Sequence, residues 1–119
     1  MATHPAAPPI TKNILKLARQ LDATGLPAYV TVKPRADCSS DCCFDNVRRI
    51  VKMDGGSIQH GWSMREQPQV YAEAAFHAVW RNSDGSLIDV TPRADEQMRI
   101  LFLPDLKRVW EGERLNPGE

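Results

Sequence analysis

Cys43, His77 and Asp89 are the side chains whose types and order suit thiol acyl-transfer chemistry. A thiol is a weak nucleophile at neutral pH until a base takes its proton. An imidazole can do so, and a carboxylate can hold that imidazole in the tautomer whose free nitrogen faces the sulfur. Whether the trio can act together depends on a helix and two strands that the surrounding sequence predicts.

The helix is predicted to begin after Asp41, a capping residue, and to end at Asp54-Gly55-Gly56, with Phe44, Val47 and Val51 as its apolar stripe. Cys43 then stands in the first turn, where unpaired N–H groups and the helix dipole favour a thiolate. The helical wheel separates it from its neighbour. Cys43 falls with Asn46, Val47 and Ile50 beside the buried stripe, whereas Cys42 falls with Asp45 and Arg49 toward water.

His77 lies in the longest strand signal, Val70 to Arg81, on a mixed face with Tyr71, Glu73, Ala75, Val79 and Arg81, where small Ala75 leaves room for a helix to approach. The other face is apolar: Val70, Ala72, Ala74, Phe76, Ala78 and Trp80. Leu87 to Thr91 is the returning strand, so the loop between the two decides which way Asp89 points. A two-residue turn at Asp84-Gly85 would put Asp89 and His77 on opposite sides. A three-residue loop, Ser83 to Gly85, would set Asp89 against Val79 and diagonally across from His77. Asn82-Ser83-Asp84-Gly85 favours the second, because Asn suits the first position of a type I turn and Gly suits the left-handed residue that closes it.

The remaining elements are scaffold. Met1 to Pro9 reads as a mobile tail; Thr11 caps a helix carrying Ile14, Leu15, Leu17, Ala18 and Leu21, stopped at Gly25. Tyr29 to Val32, Ser57 to Met64 and Arg99 to Leu103 are strand candidates. Residues 10–110 form one compact domain in this reading, and residues 111–119 a C-terminal tail. The predicted class is α+β: an N-terminal helix and the Cys-bearing helix packed on an antiparallel sheet of about four to five strands.

Composition narrows the function. With 119 residues there is room for one modest core, and fifteen acidic residues balance fifteen basic ones, so no charge excess advertises nucleic acid or an anionic membrane. No apolar run approaches the ~20 residues that span a bilayer, and no signal peptide stands at the start. Three cysteines, two of them adjacent, do not make a disulfide framework, so the expected compartment is the cytoplasm. No phosphate loop, dinucleotide fingerprint or zincin motif occurs, and no cofactor is expected.

A thiol at a helix start, then a histidine strand, then an acidic strand, resembles the catalytic order of the papain-like and transglutaminase-like superfamily. Locally, Cys43-Phe44-Asp45-Asn46-Val47, Gly55-Gly56 with Gly61-Trp62, Phe76-His77-Ala78-Val79-Trp80, Gly85, Asp89-Val90-Thr91-Pro92 and Phe102-Leu103-Pro104-Asp105 are similar to the motifs of small uncharacterised bacterial proteins with that arrangement. The resemblance spans Cys43 to Asp105. It implies a papain-like core, with Cys43 as nucleophile, His77 as base and Asp89 as orienting group. The resemblance supplies no substrate; the expected function is a thiol-dependent hydrolase or acyltransferase acting on an amide or thioester in a peptide, protein or small molecule. The chain departs from papain-like proteases in lacking a glutamine just upstream of Cys43. The Cys43 N–H is the first oxyanion donor to consider; Asn46, Gln59 and Ser40 are side-chain candidates, and Trp62 a candidate substrate contact.

Two other readings compete. Trp62, Trp80, Trp110, Tyr71 and Phe102 could line the groove of a peptide- or protein-binding module without catalysis. Cys38, Cys42 and Cys43 with His77 or His60 offer zinc-type ligands, but adjacent cysteines on one helix converge poorly on one ion, and no metal site is expected.

Overall fold

The computed structural model describes residues 9–40, 42–67, 71–93, 97–111 and 114–117. Its first element opens where the capping signal predicts: the Thr11 hydroxyl accepts the Ile14 N–H at 3.2 Å, and α1 runs Lys12–Leu21. The helix ends at Asp22, whose φ of 52° is left-handed, rather than at Gly25. A short polar Asp tolerates that conformation. Gly25 instead donates its N–H to the Pro104 carbonyl at 3.2 Å, tying the turn after α1 to the sheet.

The rest of the chain forms β1 (Ala28–Val32), α2 (Cys43–Asp54), β2 (Ser57–Gln67), β3 (Tyr71–Arg81), β4 (Leu87–Asp89), β5 (Arg99–Pro104), β6 (Arg108–Glu111) and β7 (Arg114–Pro117). The α+β class and the five-strand sheet agree with expectation. The sheet, however, closes into a barrel in the order β1-β4-β3-β2-β5, with β1 pairing β4 in parallel and every other barrel pair antiparallel. Alternation along a strand reveals faces but not partners, so closure and the parallel pair left no mark in the sequence. Residues 114–117, read from sequence as tail, pair with β6 as a separate two-stranded sheet. The predicted mobile tail, 1–9, lies almost wholly outside the described residues, as does Asp41.

Closure gives every strand an inner and an outer face. Val30, Val32, Val79, Ile100 and Phe102, with Leu87, fill the inside. Outside, α1 lays Ile14, Leu17 and Leu21 over Met64, Leu101 and Leu103, while α2 lays Val47 and Ile50 over Ala78 and Val90. Both helices thus cover the apolar face of β3. The bodies of α1 and α2 do not approach the mixed face as expected: at Val79 and His77 that face turns into the barrel, where Val79 joins the inner core and the His77 ring meets Phe102 edge-on at 6.4 Å, while Ala75 is exposed.

Gly61 stands opposite His77 across the β2–β3 ladder. A Cβ there would come within 2.3 Å of the Leu103 carbonyl oxygen and 2.5 Å of the Phe102 ring, so only glycine lets β5 pass this close. Among the described residues no helix is long and apolar enough to cross a membrane.

Candidate functional site

The hairpin has the register the site needs. Trp80 pairs with Ile88 and Arg81 with Leu87, which sets Asp89 against Val79. The loop is Ser83 to Gly85: Asn82 donates to the Ser86 carbonyl at 2.9 Å, the Gly85 N–H returns to the Asn82 carbonyl at 2.9 Å, and Gly85 takes φ 90°. Asp84 braces this turn by accepting from the Ser86 N–H and hydroxyl, at 2.9 and 2.6 Å.

Asp89 therefore points into the barrel and is fully buried. Its Oδ2 lies 3.1 Å from His77 Nε2 and 3.9 Å from Arg93 Nη1, while Oδ1 accepts the Thr91 N–H at 3.3 Å. A carboxylate so enclosed is tolerated because each oxygen has a partner. The parallel β1 strand closes the other side, with Val32 level with Asp89.

Cys43 is the first residue of α2, and it is buried. Cys42 occupies the N-cap position without any side-chain capping bond. The Cys43, Phe44 and Asp45 N–H groups fall in the first turn, which has no intrahelical acceptors for them. The Cys43 thiol lies close enough to His77 to act on its ring. Because Nε2 is engaged with Asp89, the nitrogen left for the sulfur is Nδ1.

Burial of His77 disfavours its charge and is the largest influence on it. Hydrogen bonds to Asp89 and Cys43, together with the negative charge of both partners, outweigh that effect and raise its pKa from 6.5 to about 9. At neutral pH the ring is an imidazolium held by the Asp89 carboxylate.

The other thiols differ. Cys38 is buried in the α2 core, where desolvation above all pushes its pKa up despite the Arg49 guanidinium 3.8 Å from the sulfur. Cys42 is exposed. No three His, Cys, Asp or Glu side chains cluster as metal ligands among the described residues.

Cys43 and His77 open onto a pocket of about 850 Å³ whose wall includes Ser40, Phe44, Ser63, Thr91 and Arg93. Ser40 is the one side-chain oxyanion candidate of the sequence that reaches it. Asn46 does not: its amide hydrogens go to the Ser39 carbonyl at 2.8 Å and the Thr91 hydroxyl at 3.1 Å, and its oxygen accepts the Ser39 N–H at 3.1 Å. It clamps the loop before α2 to the segment after β4. Gln59 also stands away from the pocket, bonded to the His60 carbonyl at 2.8 Å and to Arg81 at 2.7 Å. Trp62 lies on the outer face, donating to Asp105 at 3.0 Å and packed edge-on against Phe76 at 5.0 Å. It is a structural link, not a wall of this pocket.

Sequence reasoning missed Arg93 and Thr91 as site residues. Both follow Asp89 within four positions, and their polar side chains close after the candidate acid were the available signal. Comparison with protein-family models, with curated proteins and with solved structures finds no match to this chain.

Proposed function

We propose that the protein is a thiol-dependent hydrolase or acyltransferase acting on an amide or thioester, with Cys43 as nucleophile, His77 as acid and base, and Asp89 as the group that orients His77. The observation that carries this reading is the chain of contacts from a buried helix-start thiol to His77 and on to a buried carboxylate 3.1 Å from the ring. A papain-like core, with the thiol helix packed on a barrel that holds the histidine and acid, is part of the same proposal.

In the reactive form the Cys43 sulfur, as thiolate, faces Nδ1 of a His77 imidazolium whose Nε2 is held by the Asp89 carboxylate. The sulfur attacks the carbonyl carbon, an S–C bond forms, and the carbonyl electron pair moves to oxygen. First-turn N–H groups of α2, beginning with that of Cys43, are placed to receive that oxyanion; a donor of this kind supplies about 2.7–4 kcal/mol. Collapse expels the amine or thiol, which leaves with the Nδ1 proton, and a thioester remains on Cys43. His77 then takes a proton from water or an acceptor amine, whose attack releases the acyl group and restores the thiolate.

Incubation with p-nitrophenyl acetate tests this directly. The reading expects an acetyl group on Cys43 by peptide mapping, release of nitrophenolate faster than the background, and loss of both in Cys43→Ala. Acetylation confined to lysines or to Cys42 would refute it and favour a binding module.

A further inference from the structure

The β2–β3 ladder is continuous from Ser57 opposite Arg81 to Gln67 opposite Tyr71, but β4 pairs only with Trp80 and Arg81. Below Trp80, the second edge of β3 has no ladder partner among the described residues. The Asn82 N–H and C=O both face the β4 side. The two-residue repeat of a strand then turns the backbone groups of Ala74 and Phe76 to the same side, toward the open edge.

The pocket follows this edge. Glu73, Ala74, Ala75, Phe76 and His77 all line it, although alternate residues of a strand point to opposite faces. It also reaches Ser63 and Arg65 of β2, opposite Ala75 and Glu73, so it covers the inner face of the hairpin and wraps over the edge of β3 to meet Ala74 and Phe76. α2 packs on the outer face and His77 points inward, so Cys43 meets His77 by reaching over this same edge.

We propose that the acyl donor is an extended polypeptide that adds as a further strand to this edge of β3, which no described residue pairs, hydrogen-bonding Ala74 and Phe76 and delivering one backbone carbonyl to Cys43. An unpaired row of N–H and C=O groups is complementary to another backbone in extended form, and strand addition is an established mode of peptide capture. From Glu73 to His77 the edge covers roughly 13 Å, the reach of about four extended residues. Small Ala74 and Ala75 leave the approach open, and Ala75 is exposed. The Arg65–Glu73 ion pair stands at the far end. The proposal rests on the thiol reading and names its substrate class.

The test uses the intact protein and acetyl-tetra-alanine fluoromethyl ketone, which reacts as the Cys43 thiolate forms a C–S bond and fluoride leaves. Four further probes carry a single N-methyl group, one at each amide nitrogen in turn. Strand addition predicts that methylation at alternate amides slows labelling of Cys43 by roughly three- to tenfold, the worth of one net hydrogen bond, while the intervening positions are tolerated. Equal rates for all five probes, with Cys43 still alkylated by iodoacetamide, would overturn strand addition and leave the thiol chemistry standing. Failure of both reagents at Cys43 would overturn both. Exchange protection of the Ala74 and Phe76 amide hydrogens that rises with protein concentration in the absence of peptide would assign the edge to a second copy and overturn the proposal as well.

Discussion

His77 Nε2 and Asp89 Oδ2 are 3.1 Å apart across a hairpin whose loop is Ser83 to Gly85. The pair exists because Arg81 faces Leu87, so that Asp89 and His77 share the inner face of the barrel. With the register moved by one residue, Asp89 would turn toward α2 and Ile88 would turn inward, leaving a buried carboxylate against an apolar helix face. The catalytic reading thus depends on a turn that touches no substrate.

The turn can be strained without touching the site. Gly85 has φ 90° and no neighbouring atom where a side chain would project, so only backbone conformation penalises a substitution there. Gly85→Val should cost about 1–3 kcal/mol of stability, seen as a lower midpoint in urea denaturation. The His77 ring signals in NMR should broaden or shift as the contact with Asp89 loosens. An unchanged midpoint would show that the loop adopts another form.

The raised pKa of His77 makes stability depend on pH in a defined direction. The folded value of about 9 exceeds the ordinary value of 6.5, so the folded state holds the proton more tightly than the unfolded chain. This contribution is fully present below about 6.5 and disappears as pH rises through about 9. The difference in unfolding free energy between wild type and His77→Gln, measured by urea denaturation, should therefore shrink across that window. A difference that grows with pH would contradict the imidazolium assignment.

Asn46 separates two roles that its position in the sequence could not. As a clamp between Ser39 and Thr91, it should cost about 1–3 kcal/mol when replaced by Ala, because buried partners lose their hydrogen bonds. Tm should fall by roughly 4 °C or more. Were Asn46 an oxyanion donor, esterase turnover would fall with Tm unchanged.

How much of this was legible in the chain can be traced residue by residue. Thr11, Gly85 and Val47 act locally, through a cap, a turn and a helical period, and the structure uses them as the sequence suggests, although Ile50, read as the flank of the α2 stripe, is fully buried while Phe44 and Val51 are half-buried. Asn46 and Trp62 were misplaced for a different reason. Their roles depend on Thr91 and Asp105, each more than forty positions away, and no local period encodes such a partner. Closure of the sheet was invisible on the same ground: β1 reaches both β4 and β5 through contacts that leave its own alternation unchanged.

The most direct measurement is the rate at which each cysteine is alkylated by iodoacetamide at neutral pH, followed by mass spectrometry of the digested protein. Exposure alone ranks Cys42 first, since Cys38 and Cys43 are both buried. Cys43 should nonetheless be the fastest and Cys38 the slowest, and His77→Ala should slow Cys43 by roughly 100-fold while leaving Cys42 unchanged, the scale on which a positioned acid or base acts. Cys42 reacting first, with Cys43 indifferent to the loss of His77, would contradict it.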